Sequence, residues 1–274
     1  MTATYDYTGK SVLVTGGTKG IGAGVARAFQ EAGADVTVCA RTRPASDAFR
    51  FVKADVRAPE DVERLVAGFD RLDVVVNNAG GSPYAPLEGT SPRLHARVIE
   101  LNLTAPLLVA QYAYPLLVAA RGTVVMIGSS SGTRPSPGTS AYGAAKAGLH
   151  HLARCLAAEW APDVRVNTVV VGLAATESAA GHYGEHGDGK LGAAIPAGRL
   201  ATPADVARAC LWLAAPGYVT GAEVRVDGGG EIPYWRHLAG ELTPTERPPS
   251  GGSPSGGSPS GGSPSGGPPS GGPP

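Results

Sequence analysis

Short apolar runs alternate along the chain with longer segments of helical periodicity. The apolar runs predict seven β-strands, at residues 11–15, 35–40, 49–55, 72–80, 122–130, 164–172 and 223–229. The periodic segments predict helices at residues 21–33, 59–69, 92–119, 141–160 and 203–214, and the pattern at 92–119 is interrupted by Pro106 and Pro115. Between the sixth strand and about residue 200 the sequence is polar and irregular.

The predicted strands are apolar at nearly every position instead of at alternate positions. Such strands are covered on both faces, which is typical of a parallel sheet with helices on each side. Right-handed crossovers then give a doubly wound α/β fold of the Rossmann type. Because ligands in this fold bind beyond the carboxyl ends of the strands, the residues at those ends are the first candidates for chemistry.

The last part of the chain differs from the rest in composition. Residues 250–274 are five copies of Ser-Gly-Gly-(Ser/Pro)-Pro, with no charge and no apolar residue larger than proline. Such a segment cannot bury enough surface to offset its ordering entropy. We therefore predict a single α/β domain at residues 1–240 and a disordered tail at residues 241–274.

Charge and cysteine content narrow the class of protein. Lys and Arg balance Asp and Glu at 23 each, so nothing indicates a nucleic-acid or membrane-surface partner. The N-terminus lacks the apolar core of a signal peptide, and no apolar run reaches the roughly 18 residues of a membrane span. Three scattered cysteines, Cys39, Cys155 and Cys210, lack metal-ligand spacing and are expected to be buried thiols. These features together predict a cytoplasmic protein.

A glycine-rich turn follows the first strand. In "TGGTKGIG", residues 15–22, Gly16, Gly20 and Gly22 would let the backbone approach a pyrophosphate at the N-terminus of the next helix. A glycine turn of this kind can also exist without a ligand. It is not a Walker loop, because no Gly-Lys-Ser/Thr sequence follows.

Tyr142 and Lys146 stand four residues apart near the start of an alanine-rich helix. At this spacing the two side chains share one helix face. A phenol has a pKa near 10, and a nearby cation favours the phenolate and eases proton exchange at neutral pH. The same spacing also arises by accident in many helices, so the pair gains meaning only from its context.

That context resembles the short-chain dehydrogenase/reductase family, and within it the 3-oxoacyl reductases. The resemblance is carried by "TGGTKGIG", "NNAG" at 77–80, Asn102, and Ser129 thirteen residues before Tyr142-x-x-x-Lys146. It extends from about Gly9 to Gly229 and includes the segments "GRLATPADVARACLWLAA" and "YVTGAEVRVDGGG".

The resemblance implies a catalytic set of four residues. Tyr142 would be the general acid/base, and Lys146 would lower its pKa and bind the nicotinamide ribose. Ser129 would polarise the substrate carbonyl, and Asn102 would hold a water chain that resupplies the proton. Ser130 and Ser131 adjoin Ser129, so a shift of one residue in register would change the assignment.

The second strand indicates the cofactor. Arg41 stands where NAD-preferring relatives carry an aspartate for the ribose hydroxyl, with Arg43 beyond it and Lys19 in the glycine turn. These cations favour a 2′-phosphate, hence NADP(H), although solvated surface charges are the alternative. The resemblance further implies cofactor contacts from Gly16, Thr18, Lys19, Gly20, Ile21, Arg41, Asp55, Val56, Asn78, Ala79, Gly80, Tyr142, Lys146, Gly172 and Thr176.

The sequence departs from the family pattern after the sixth strand. Val171-Gly172 replaces the usual Pro-Gly, which is expected to loosen the turn, whereas Thr176 is retained. The following stretch resembles the variable substrate lid of the family. It contains His182, Tyr183 and His186, but no acidic or cysteine partner has ligand spacing, so we predict no metal site.

These features predict an NADP(H)-dependent carbonyl reductase or alcohol dehydrogenase that interconverts a ketone and a secondary alcohol. A 3-oxoacyl thioester, a steroid-like or polyketide ketone and a small keto compound are all candidate substrates. The alternatives are an NAD(H)-dependent alcohol dehydrogenase, a non-catalytic NADP sensor, and an assembly component that uses the tail. The resemblance implies a homodimer or homotetramer.

Overall fold

The structure is a computed structural model that describes residues 4–44, 48–177, 191–231 and 233. These residues belong to one compact unit, residues 1–233, and a second unit comprises residues 234–274. The predicted domain boundary at residue 240 and the predicted tail lie outside the described residues. So do His182, Tyr183 and His186 of the predicted lid.

Seven parallel strands form one sheet, which confirms the predicted doubly wound α/β fold. The strand order is β3-β2-β1-β4-β5-β6-β7, so the chain reverses its direction of growth between β1 and β4. That switch point is where such folds bind ligands. The strands are β1 (Ser11–Thr15), β2 (Asp35–Ala40), β3 (Arg50–Lys53), β4 (Val74–Asn77), β5 (Thr123–Ser129), β6 (Arg165–Val171) and β7 (Glu223–Val226).

β1 and β2 have the predicted limits, whereas the other strands are shorter than their apolar runs. β3 and β7 are the two edges of the sheet and are only four residues long. Each has one neighbouring strand, and the ladder ends where that partner ends. The apolar run around β4 likewise continues beyond the ladder on both sides, since Leu72 is buried and Ala79 packs against the core.

Helices cover both faces of the sheet because strand residues alternate between them. Leu13, Val75 and Val124 face one layer, in which α2 (Pro59–Ala67), α4 (Ala105–Ala120) and α5 (Ser140–Trp160) pack. Their strand neighbours face the other layer, formed by α1 (Gly20–Glu31) and α6 (Pro203–Ala214). Full burial of both strand faces explains the near-continuous apolar runs.

The segment predicted at 92–119 is more continuous than expected. α3 (Pro92–Ile99) leads through a π-helical turn (Glu100–Thr104) directly into α4. Pro106 lies in the first turn of α4, where no intrahelical N–H is required. Pro115 lies inside α4 without ending it, so the predicted interruptions are wrong. The wider π-helical turn contains the buried Asn102.

The same helical segment, Pro92–Ala120, is long and apolar enough to cross a membrane by length and composition alone. It spans 29 residues and contains an 18-residue window with a mean hydropathy of 1.5. The uninterrupted apolar runs of the sequence are shorter than this segment, so they did not predict its length and hydropathy. In the fold the segment contributes Val109, Ala113 and Leu117 to the core, as helices of soluble α/β domains do.

Candidate active site

The glycine turn after β1 forms a backbone cradle at the start of α1. Gly16 and Gly20 have φ angles of +64° and +55°, which side chains other than glycine rarely adopt. A Cβ on Gly22 would overlap the Asn78 amide and the carbonyl of Gly16. The cradle therefore depends on these glycines, and the free N–H groups of the first turn of α1 face it.

Thr15 connects this cradle to the loop after β4. Its buried hydroxyl accepts hydrogen bonds from the N–H groups of Asn78 and Ala79, both at 3.0 Å. The Asn78 side chain in turn donates to the carbonyl oxygens of Thr15 and Gly16 at 2.9 and 3.1 Å. Sequence reasoning missed Thr15, since a threonine at the end of a buried strand carries no signal of its partners.

An anion already occupies part of the cradle. The Gly20 N–H donates a hydrogen bond to a carboxylate oxygen of Glu177 at 3.0 Å. Thr176 lies beside it, since a Cβ added to Gly20 would be 3.6 Å from the Thr176 side chain, an ordinary van der Waals contact. The carboxylate stands where a phosphate oxygen would accept the same N–H, so the cradle fits the pyrophosphate of a dinucleotide.

The carboxyl ends of β2 and β3 carry the charges that sequence reasoning assigned to the 2′-phosphate and adenine. Lys19 precedes α1 directly as its N-cap residue, and both Lys19 and Arg41 are exposed. Arg43 lies 5.9 Å from the centroid of the Phe51 ring, in a cation–π contact. Lys19 and Arg41 are therefore accessible to solvent at this edge of the sheet.

Asp55 has a partner that the sequence analysis did not foresee. The Nε of Arg57 donates to Oδ1 of Asp55 at 2.9 Å, and its Nη2 donates to Oδ2. These hydrogen bonds, with a smaller contribution from the Arg41 charge, hold the pKa of Asp55 below its usual range. The neighbouring Val56 is buried. Asp55 therefore presents an ionised carboxylate whose orientation Arg57 fixes.

Lys146 lies at the centre of the site. Its ammonium is buried, donates to the carbonyl oxygen of Ile127 at 2.8 Å and lies 5.7 Å from the centroid of the Tyr142 ring. Burial lowers the pKa of Lys146 to about 8. A Cβ added to Gly80 would lie 3.3 Å from the ammonium and 2.7 Å from Oδ1 of Asn102. The structure thus places Lys146, Tyr142, Gly80 and Asn102 in one group.

Asn102 uses its amide to hold the loop that follows β4. Its Nδ2 donates to the carbonyl oxygens of Gly81 and Val98, and its Oδ1 accepts from the Gly81 N–H, each at 2.9 Å. The side chain is fully buried. The π-helical turn is what directs it toward the loop, because the widened backbone there rotates the following residues.

Ser129 is the last residue of β5 and begins the turn that leads toward α5. Its hydroxyl accepts a hydrogen bond from the Ser131 N–H at 3.2 Å. Ser131 in turn accepts from the Ser136 hydroxyl, and Ser130 is buried. Ser129 and Ser131 are both half-buried, and Ser129 lies at the carboxyl end of β5.

Val171 extends β6 to the carboxyl edge instead of loosening the turn. It is buried and pairs with Ser129 on one side and Val226 on the other. Gly172 follows, and its N–H donates to the Val226 carbonyl oxygen at 3.0 Å. A Cβ on Gly172 would come within 2.8 Å of Asp227, so this position needs glycine.

The sequence-predicted residues therefore gather at the edge of the sheet where strands β1 to β6 have their carboxyl ends. Thr18 and Ile21 lie in the glycine turn and at the start of α1. Within the described residues, no three His, Cys, Asp or Glu side chains are grouped as metal ligands. Cys39 and Cys210 are buried, which raises the pKa of each thiol to about 12, and Cys155 is partly buried.

Comparison with known proteins places this arrangement in context. Residues 16–231 match the family model described as enoyl-(acyl carrier protein) reductase. The chain is 37% identical over 261 residues to L-fucose dehydrogenase of Bos taurus, covering 88% of this chain and 96% of that protein. It is 32% identical over 240 residues to the 3-oxoacyl-[acyl-carrier-protein] reductase FabG of Chlamydia muridarum, covering 80% and 96%.

A solved structure gives the same likeness. The Pseudomonas aeruginosa RhlG/NADP active-site complex superposes with a TM-score of 0.75 at 31% sequence identity. The match covers 84% of this chain and 99% of that one. The similarity therefore extends over most of the chain.

Proposed function

The chain belongs to the short-chain dehydrogenase/reductase family, and we propose that it is an NADP(H)-dependent oxidoreductase that interconverts a ketone and a secondary alcohol. The observation that carries the proposal is the group formed by Lys146, Tyr142, Asn102 and Gly80 beside the glycine cradle. Burying an ammonium next to a half-buried phenol does not improve packing. It is an arrangement suited to proton transfer, because the cation favours the phenolate.

We assign to the side chains the roles that the family resemblance implies. When bound, the nicotinamide supplies the hydride that adds to the carbonyl carbon. Tyr142 gives its phenolic proton to the carbonyl oxygen, so the ketone becomes an alcohol and the tyrosine becomes a phenolate. Lys146 stabilises that phenolate by its charge. The Ser129 hydroxyl donates to the same carbonyl oxygen and orients it, and the reverse steps oxidise the alcohol.

Three observations support NADP(H) as the cofactor. Lys19 and Arg41 are exposed cations beside the predicted ribose position, and Asp55, the carboxylate predicted at the adenine, has its charge paired with Arg57. The RhlG structure of Pseudomonas aeruginosa is a complex with NADP. A 2′-phosphate would be neutralised by these cations, whereas a bare ribose would gain little from them.

Cofactor titration tests this choice. We expect NADPH to bind about tenfold more tightly than NADH, a difference of about 1.4 kcal/mol, and Arg41→Asp to reverse or abolish the preference. Arg27→Asp, an exposed change on α1, provides the control. Equal affinities of the wild-type protein for the two cofactors would contradict the proposal.

The catalytic assignment is tested by replacing the phenol. We expect Tyr142→Phe to lower kcat by about 10²–10⁴-fold while the Kd for NADPH stays near that of the wild type, because only the proton donor is lost. Tyr218→Phe, at a fully exposed tyrosine, is the matched control and should keep full activity. Near-normal turnover by Tyr142→Phe would show that the tyrosine only packs in its helix.

The substrate is best sought among the two classes of compound that the names of the relatives suggest. The Chlamydia muridarum relative is a 3-oxoacyl reductase and the Bos taurus relative a sugar dehydrogenase. A panel of 3-oxoacyl thioesters, small ketones and, in the oxidative direction, sugars would be followed by cofactor absorbance. Turnover of none of these compounds by the wild-type protein would favour the non-catalytic sensor.

A further inference from the structure

His150 is a buried histidine on α5, one helical turn beyond Lys146. Its imidazole is 3% exposed and lies under the end of β5 and the turn that follows. A Cβ on Gly128 would overlap Nε2 of the ring, and a Cβ on Gly132 would lie 3.0 Å from Cε1. The two glycines therefore create the space that the ring occupies, which an ordinary apolar packing position would not require.

Each ring nitrogen of His150 faces a different group. The Ser129 N–H donates to Nε2 with an N···N distance of 3.3 Å. On the other side, a carboxylate oxygen of Glu223 lies 3.7 Å from Nδ1, and Glu223 is itself held by Arg154 at 3.0 Å. This arrangement requires the proton on Nδ1, facing the carboxylate, and a lone pair on Nε2, facing the Ser129 N–H.

The contact acts on Ser129 through its backbone. Nε2 of His150 accepts the Ser129 N–H, and the Ser129 hydroxyl accepts a hydrogen bond from the Ser131 N–H. Ser129 ends the strand and starts the turn, so the orientation of its hydroxyl depends on these two anchors. Without the imidazole, the half-buried N–H would lose its acceptor and the turn would lose its support.

We propose that His150 is a positioning residue for the active site, whose neutral imidazole accepts the Ser129 N–H and thereby orients the Ser129 hydroxyl toward the substrate carbonyl. This inference rests on the proposed function for its effect on turnover. The contact itself, between His150 and the backbone of Ser129, does not depend on which substrate the protein uses.

The charged groups around His150 determine its protonation. Lys146 and Arg154 approach from its own helix, and Glu223 and Arg225 from β7. Burial has the largest effect and lowers the pKa of His150, with Glu223 acting in the opposite direction and the three cations adding to the decrease. A protonated ring would direct an Nε2–H against the Ser129 N–H, so the positioning form is the neutral one.

The first test compares substitutions at His150. We expect His150→Leu, which keeps the volume but removes the acceptor, to lower kcat by about 10–100-fold, with the Kd for NADPH unchanged. His150→Gln can place its carbonyl oxygen near the position of Nε2 and should recover most of kcat. His151→Leu, at the exposed histidine one residue along the helix, is the matched control and should resemble the wild type.

Amide hydrogen exchange measured by NMR gives a readout independent of activity. We expect faster exchange of the Ser129 N–H in His150→Leu but not in His150→Gln or His151→Leu. Unchanged kcat and unchanged Ser129 exchange in His150→Leu would overturn the proposal. So would a His150→Gln variant as impaired as His150→Leu, because that result would indicate packing alone.

Imidazole ¹⁵N NMR on the wild-type protein keeps the proposal testable if His150→Leu does not fold. We expect Nδ1 to carry the proton and Nε2 to be unprotonated at neutral pH; the opposite tautomer would overturn the proposal. Glu223→Gln removes the group that raises the pKa of His150, so the acid decline in kcat should move to lower pH. An acid decline that does not move would also count against it.

Failure of this inference is distinguishable from failure of the proposed function. If the wild-type protein reduces no carbonyl compound, the proposed function fails, and the Ser129 exchange and the ¹⁵N spectrum still decide the His150 contact. If Tyr142→Phe is inactive and His150→Leu is fully active with unchanged exchange, the proposed function stands and the positioning role is wrong.

Discussion

Lys146 shows at the scale of one residue how a reaction centre lowers stability. Its ammonium is buried and donates to the carbonyl oxygen of Ile127. Burial lowers its pKa from 10.5 to about 8. Because the folded pKa lies below the unfolded one, the stabilising effect of the neutral form is present above pH 10.5 and is lost as the pH falls through 8. At pH 7 the protein therefore carries the full unfavourable energy of a buried charge.

We expect Lys146→Met to increase the free energy of unfolding at pH 7, by about 1–3 kcal/mol, while abolishing turnover. The gain should shrink when urea unfolding is repeated at pH 9.5, because the wild-type lysine is then largely neutral. Lys53→Met, at an exposed lysine, is the control and should change stability little at either pH. A Lys146→Met variant less stable than the wild type at pH 7 would mean that the Ile127 hydrogen bond outweighs burial.

Glu177 is the second residue whose position has a measurable consequence. Its carboxylate accepts the Gly20 N–H that a cofactor phosphate would need, and it would repel that phosphate. We expect Glu177→Gln to bind NADPH about fivefold more tightly, a change of about 1 kcal/mol. Isothermal titration of NADPH measures it, with Glu31→Gln at the opposite end of α1 as the control. Weaker binding by Glu177→Gln would show that the carboxylate supports the cofactor site.

At the scale of elements, the bounds of a helix or strand could be predicted where the residues that define them are close together in the sequence. β1, β2 and α6 have the predicted limits because apolar pattern and flanking residues suffice to define them. Thr202 precedes α6 as its N-cap residue and forms a capping box with Asp205, a local pattern visible in the sequence. The ends of β3 and β7 depend on the length of a neighbouring strand, which no local pattern contains.

The π-helical turn shows the same limit within a helix. Proline positions indicated breaks at Pro106 and Pro115, but tertiary packing keeps α4 continuous through the second proline. The turn before α4 widens at Glu100–Thr104, and nothing in the 3.6-residue periodicity of this segment announces it. Asn102 could be named from family resemblance, whereas its bond to Gly81 could not.

The residues of the candidate site likewise fall into a group that the sequence predicted and a group that it did not. Ser129, Tyr142 and Lys146 were identifiable because their spacing along the chain is a motif. Thr15, Arg57, Glu177 and His150 were missed because their contacts join segments that lie far apart in sequence or carry no motif. Each of the four acts through a hydrogen bond to a residue that was predicted, so the missed residues support the recognised ones.

At the scale of the whole molecule, the compact unit accounts for every part of the candidate site among the described residues. The sheet brings six strand ends with site residues to one edge, and α1 and α5 contribute the cradle and the proton-transfer pair. Residues 16–231 are also the extent of the family match. Residues 241–274 lie beyond that match, and the repeat at residues 250–274 has no charged side chain to pair with a cofactor phosphate.

We therefore expect deletion of residues 248–274 to leave both the Tm and kcat unchanged. A repeat of Ser, Gly and Pro buries too little apolar surface to stabilise a fold, and it carries no charge to steer a substrate. Thermal unfolding and turnover of the full chain and the truncated chain measure this, with a tail of equal length and shuffled repeat order as the control. For a domain of this size a fall in Tm of about 2–4 °C corresponds to about 1 kcal/mol. A fall of that size, restored by the native repeat but not by the shuffled one, would show that the tail packs specifically on the folded unit.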